Sequence, residues 1–311
     1  MHRPPLPLLQ MYAAGPYSSV IRITGFARPA VRWLPARIVL LLLISAVTLS
    51  GQKPAPADIQ SEEADPAALI RRASANEVAA LQSPDYFRYM ETLEWKWGTE
   101  TREVIETTQG RADRIVQFNH EPLSPDQASK QERRLRKLLR DHDAVRHEIS
   151  DQNAELKRRI SMMQAFPLAF TFTPAGEEDG LLKFRFRPSG SFSPQDRQTQ
   201  VYRGMQGTVW VEPNQERLVR IDGTLTRNVF FGWGIFGKLY KGGTYRIEQT
   251  QVEPGKWRIK TLDLNLKIRV IFNTSRLLRN EHDTEFRPAP PGTTYQEALK
   301  ILLGTPAGPD R

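Results

Sequence analysis

No cysteine occurs among the 311 residues, which together excludes disulfide staples, a thiolate nucleophile and Cys-ligated zinc. Histidine is scarce, with five in all. His142 and His147 lie about 140° apart around a helix, so they cannot grip one metal as an i, i+4 pair can. His282-Asp283 could orient a base, but no nucleophile-elbow sequence exists for it to serve. Long hydrophobic runs are also missing. Residues 38–49 would rise roughly 18 Å as a helix, well short of the roughly 30 Å of a bilayer core. Stability therefore has to come from a core.

Acidic residues are absent from the first fifty positions, which carry Arg3, Arg22, Arg28, Arg32 and Arg37 ahead of that apolar run. This is the pattern of a secretory signal peptide over residues 1–50, cleaved near Ser50 to give a periplasmic chain. An uncleaved N-terminal segment anchoring the chain to the inner membrane is the alternative, and either Met1 or Met11 can be the start. Leu49-Ser50-Gly51-Gln52 is close to a lipoprotein box, but Gln52 stands where cysteine would carry the acyl group. The formal charge of +9 falls once the leader is removed, leaving 39 basic against 35 acidic residues. That balance is ordinary and does not point to nucleic acid.

Residues 51–65 are rich in Pro, Ala and acidic side chains, which bury too little apolar surface to offset chain entropy, so they read as a flexible linker. The spacing predicts a short helix over residues 66–81. From residue 86 the period changes to two, in runs at 86–97, 101–109 and 114–118 separated by Gly98 and Gly110, a meander of antiparallel strands. Ser124-Pro125-Asp126-Gln127 is a helix start with a reciprocal serine–glutamine cap. The helical pattern of this insertion covers residues 125–165, ending before Phe166-Pro167. Forty residues would make a rod of roughly 60 Å, longer than the roughly 45 Å width of such a domain, so a break near Asp151-Gln152-Asn153 or a protrusion is expected. Strand patterns return at 168–173, 181–187, 205–211, 217–227, 243–252, 256–266 and 267–277, with a last short one near 283–286. Leu182, Phe184 and Phe186 alternate with Lys183, Arg185 and Arg187, as in a sheet with one buried and one wet face. No crossover helices punctuate these strands, which argues against a parallel α/β sheet. Residues 66–286 form the expected domain, and 287–311 read as a Pro/Gly-rich tail with an amphipathic patch at 294–303.

Successive strand segments read Gly207-Thr208-Val209-Trp210-Val211-Glu212, then Leu218-Val219-Arg220-Ile221-Asp222-Gly223-Thr224-Leu225, then Lys241-Gly242-Gly243-Thr244-Tyr245 with Lys256-Trp257. In these segments the chain resembles the LolA/LolB-like family of outer-membrane lipoprotein-sorting and periplasmic carrier proteins. The resemblance implies an α+β, mainly antiparallel fold: an incomplete barrel of about eleven strands covered by helices, with a greasy cavity between. It also implies a hydrophobic ligand, lipid or lipoprotein acyl chains. The long charged helical insertion and the missing lipid-anchor cysteine depart from the sorting proteins, so no functional residue is carried over.

Aromatic content and strand position make Trp95, Trp97, Phe118, Phe170, Phe172, Phe184, Phe186, Trp210, Phe230, Phe231, Trp233 and Phe236 the expected ligand-lining set. Each buried methylene of an acyl chain contributes about 0.8 kcal/mol, so such a pocket needs no exact polar geometry. Residues 229–240 are unusually apolar for a connection, and read either as a lip or membrane-touching loop or as a hairpin plugging the barrel end. Gly232-Trp233-Gly234-Ile235-Phe236-Gly237-Lys238 has the spacing of a dinucleotide loop, but no helix follows to receive a pyrophosphate. No cofactor and no metal are expected. Carboxylates such as Glu248 and Asp263 read as the wet face of a sheet. The basic cluster Lys130-Gln131-Glu132-Arg133-Arg134-Leu135-Arg136-Lys137 reads as a solvated helix face or as an attraction to anionic headgroups. The expected function is that of a non-catalytic, monomeric periplasmic carrier or chaperone with transient membrane contact. The alternative is an envelope interaction module with a filled core, docking a partner through its long charged helix.

Overall fold

Period-two patterning builds most of this chain. The computed structural model describes residues 65–95, 98–231, 237–270 and 273–304, all within a unit spanning residues 64–311. Its strands are β1 (Phe87–Trp95), β2 (Gly98–Thr107), β3 (Gly110–Phe118), β4 (Glu121–Pro122), β5 (Phe170–Glu178), β6 (Leu181–Pro188), β7 (Met205–Glu212), β8 (Arg217–Leu225), β9 (Val229–Phe231), β10 (Gly237–Leu239), β11 (Thr244–Glu253), β12 (Lys256–Val270) and β13 (Asn273–Pro288). They form one sheet of thirteen strands, ordered β4-β3-β2-β1-β13-β12-β11-β8-β7-β6-β5, with the β9–β10 hairpin attached to β12. Neighbouring strands pair antiparallel. The end strands β4 and β5 do not pair, so the α+β fold holds a large open sheet, with two strands more than the eleven expected. The expected leader at 1–50, linker residues 51–64, Trp97, Trp233 and Phe236 lie outside the described residues.

Among the described residues four α-helices flank the sheet: α1 (Pro66–Gln82), α2 (Pro125–Arg140), α3 (His142–Ala169) and α4 (Tyr295–Gly304). The expected cap of α2 is present in both directions, Gln127 N donating to Ser124 Oγ at 3.3 Å and Ser124 N to Gln127 Oε1 at 2.9 Å. The rod breaks at Asp141, not near residues 151–153, because the Asp141 carboxylate accepts from Ala144 N at 2.9 Å and starts a second helix. Gln152 stays helical, and its side chain bonds the backbone of Arg111 on β3. Pro167 does not stop α3, which runs on to Ala169. Only one amide is lost there, in the last turn, while Phe166 and Ala169 are both buried in the core. No helix among the described residues is long and apolar enough to cross a membrane.

Two further expectations need correction. The strand expected at 267–277 is divided: residues 267–270 continue β12, where Leu262, Leu264, Leu266 and Ile268 keep a single alternation, and residues 273–277 open β13, which folds back on β12 from the Val270–Asn273 pair. The short strand at 283–286 belongs to β13, which changes partners there. A bulge with Glu285 at φ 56° shifts its register against β1. The rule of one wet face also fails on β2, where Val104 and Ile105 are both fully buried. Ile105 packs with Ala112 against Leu135 of α2 and Ala298, Leu299 and Leu302 of α4. Val104 packs on the opposite face with Phe87 and Tyr89. Residues 287–304 thus contribute a helix to the packed body.

Candidate functional site

Direct cross-strand neighbours define one continuous row on the helix-covered face: Phe184, Val209, Ile221, Ile247, Leu262, Glu281 and Leu93. The row begins apolar and ends beside charge. At the apolar end, Phe170, Phe172, Phe184 and Phe186 of the expected lining set come together with Phe166 and Tyr202 under Leu69, Ile70 and Ala73 of α1. Their rings touch one another, with centroids 4.8 Å apart for Phe170–Phe186 and 5.7 Å for Phe166–Phe186. One row further along, the Tyr245 ring crosses Gly223, where any Cβ would lie 2.1 Å from the phenol oxygen.

The remaining aromatics do not join this cluster. Trp210 points to the opposite face, between the Arg220 guanidinium at 4.4 Å and the Lys183 ammonium at 5.1 Å, and donates its Nε1–H to Glu178 at 3.2 Å. Trp95 is half-buried, with Arg102 5.9 Å from its ring. Phe118 is half-buried at the end of β3 beside Gly98. Phe230 is 51% exposed near Lys238, and Phe231 packs against the small cluster of Leu225, Val229 and Leu239. Two clefts open to solvent have mixed polar and apolar linings. One of about 450 Å³ is lined by Asn76, Arg217, Lys256, Trp257 and Arg258, and one of about 540 Å³ by Asp222, Tyr245, Arg246, Asp263 and Asn280.

Sequence reasoning missed the ionic middle of the same face. Glu91 on β1 lies directly opposite Asp283 on β13, and Glu281 sits two residues earlier on the same side. Glu91 is fully buried, Glu281 3% exposed and Asp283 6% exposed. Arg111 Nη2 donates to Glu91 Oε1 at 2.6 Å, and Arg279 Nε donates to Glu281 Oε2 at 3.0 Å. Among the described residues, Asp283 accepts no hydrogen bond and joins no ion pair, and both its Oδ1 and Glu91 Oε2 are buried without a partner. Burial pushes the Asp283 carboxyl up to about 9, with Glu281 and Glu91 adding to the effect and Arg111 opposing it. The available signal was the two-residue spacing of Glu281 and Asp283 after Leu277 and Arg279, which places all four on one side of a strand.

A comparison of this chain with protein-family models, curated proteins and solved structures finds no match. Its site therefore stands on geometry alone.

A second charged feature is external. Lys130, Arg133, Lys137 and Arg140 are exposed on one side of α2, and none has a carboxylate partner among the described residues. Arg136 alongside them is paired with Glu132 at 2.6 Å. The other side of α2 is fastened down. Leu135 is fully buried, and Arg134 Nη2 reaches Asp113 Oδ2 at 3.0 Å. Burial alone would raise the Asp113 carboxyl, but Arg134, Arg102 and Arg111 hold it below the usual range. Gln152 of α3 completes the attachment, accepting from Arg111 N at 2.6 Å and donating to Arg111 O at 3.0 Å. The outer edge of β3 is thereby capped by a side-chain amide.

Proposed function

We propose that this protein is a non-catalytic envelope interaction module that docks on an anionic membrane surface through α2. The observation carrying this reading is the row of Lys130, Arg133, Lys137 and Arg140, exposed and without carboxylate partners among the described residues, on a helix whose opposite side is fixed to the sheet. Each such cation near a charged bilayer contributes about 1 kcal/mol, so four give roughly 4 kcal/mol at low salt. The attraction falls off within about 10 Å at 0.1 M salt, so binding should weaken steeply as salt rises. Flotation with phosphatidylglycerol-containing vesicles tests this, with pure phosphatidylcholine as the control. Binding that survives the fourfold exchange K130E/R133E/K137E/R140E, or that ignores salt, refutes it.

A second reading is a periplasmic carrier of the LolA/LolB-like type, with an acyl ligand between a half-barrel and its helices. It is favoured by the open antiparallel sheet with α1 and α3 laid against one face. Solvent extraction of the purified protein followed by mass spectrometry separates the two, because a carrier should yield co-purified lipid and a docking module should not.

A further inference from the structure

We infer that Glu91, Glu281 and Asp283 form a binding site for a hard divalent cation, with calcium the best fit. One carboxylate oxygen from each residue lies within 4.8 Å of the others. Calcium binds oxygens at about 2.3–2.6 Å, so two ligands of one ion can stand up to roughly 5 Å apart, whereas magnesium at about 2.0–2.1 Å draws them closer. With no nitrogen or sulfur ligand in the group, the donor set selects calcium, magnesium or manganese over zinc or copper.

The second observation is the unmet bonding capacity. Carboxylates directly opposite each other on paired strands repel, and burial strengthens that repulsion. Glu91 and Asp283 nevertheless face each other in register, and the Glu91 Oε2 and Asp283 Oδ1 atoms are buried with no hydrogen-bond partner among the described residues. Leaving such groups unsatisfied is costly. The surrounding groups orient the site without filling it. Arg111, itself in contact with the Tyr89 hydroxyl at 3.2 Å, takes the other oxygen of Glu91. Arg279 takes one oxygen of Glu281. The two guanidiniums are engaged by Glu91 and Glu281, and the Asp283 side chain has no hydrogen-bond or ion-pair partner among the described residues. These guanidinium contacts fix the carboxylate rotamers from outside, as second-layer groups do around bound metals.

The full chain, stripped with chelator and freed of lipid, should retain about one calcium per molecule after gel filtration in calcium buffer, counted by elemental mass spectrometry. Calcium a hundredfold above its dissociation constant should raise Tm by about 5 °C or more, and magnesium by less. Asp283→Asn and Glu91→Gln should each abolish both effects, while Asp283→Asn in chelator should melt no lower than the parent because the Asp283 carboxyl has no hydrogen bond or ion pair among the described residues to lose. A parent protein that holds no calcium, or an equal Tm rise in Asp283→Asn, overturns the assignment. If the variants fold poorly, the calcium count on the parent protein decides alone.

Discussion

Phe186→Ala distinguishes a filled core from a ligand-lined hollow. Phe186 is 2% exposed, and its ring meets Phe170 at 4.8 Å, Phe166 at 5.7 Å and Phe172 at 6.4 Å. Three rings that depend on a fourth cannot collapse into the space it leaves, because α1 and the β6–β7 pair hold them from both sides. Removing a packed phenylalanine therefore costs about 3–5 kcal/mol, the transfer loss plus the residual cavity. At about 2–4 °C per kcal/mol for a body of this size, Tm should fall by roughly 6–20 °C. Circular dichroism melts and urea titrations with an unchanged slope would measure it. A ring that merely faces a cavity loses few contacts on truncation. A loss below about 1 kcal/mol, or a gain in lipid-probe affinity without loss of stability, would refute the packed-core reasoning.

Further outcomes follow from the polar attachments. Gln152→Ala should cost about 1–2 kcal/mol and speed hydrogen exchange at the Arg111 amide, since both backbone groups of Arg111 lose their partner; unchanged exchange would show that the edge is covered otherwise. Glu77 of α1 accepts from Leu218 N at 3.1 Å and Gln249 Nε2 at 3.0 Å and pairs with Arg217 at 3.0 Å. Glu77→Ala or Arg217→Met alone should cost about 3–5 kcal/mol by stranding the other charge, and the double variant should cost clearly less than the sum; full additivity would deny the coupling. The depressed Asp113 carboxyl stabilises the fold above the ordinary aspartate range near pH 4, and that contribution is lost as pH falls through its lower folded value. Arg134→Gln should therefore flatten the acid limb of a Tm-against-pH curve, and an unaltered limb would exclude the pair as its source.

Local chemistry made much of the fold readable. The Ser124–Gln127 cap, the meander from β1 to β3 and the alternation that buries Phe184 and Phe186 while exposing Arg185 and Arg187 all follow from spacing and residue type. Features set by tertiary partners were hidden. Asp141 is no stronger a capping residue than the Asp151-Gln152-Asn153 run; what decides is that Gln152 is engaged by the β3 edge, so the helix cannot open there. The patch at 294–303 looked like part of a tail because its apolar stripe has value only once β2 and β3 offer Ile105 and Ala112 to pack on. The carboxylate cluster was obscured by polarity. Arg279, Glu281 and Asp283 occupy inward positions of β13 that a period-two reading reserves for apolar residues, which also split the strand in the sequence reading.

The distribution of polarity on the helix-covered face bears on both functional readings. An acyl chain running from the Phe170–Phe186 cluster across the sheet would meet Arg279, Glu281 and Asp283 on β13 within a few strands. Desolvating those groups against hydrocarbon opposes the gain of about 0.8 kcal/mol per methylene unless charge is neutralised first. A guest confined to the apolar end would instead have to displace rings already in mutual contact. Docking through α2 needs neither step, because its four cations are already exposed while Leu135 and Arg134 fix the helix to the body and Gln152 fixes α3 beside it. The docking reading thus requires no rearrangement of the interior. A lipid complex, if isolated, would require the interior to reorganise, and increased hydrogen exchange in α1 and β5 on loading is the signature to seek.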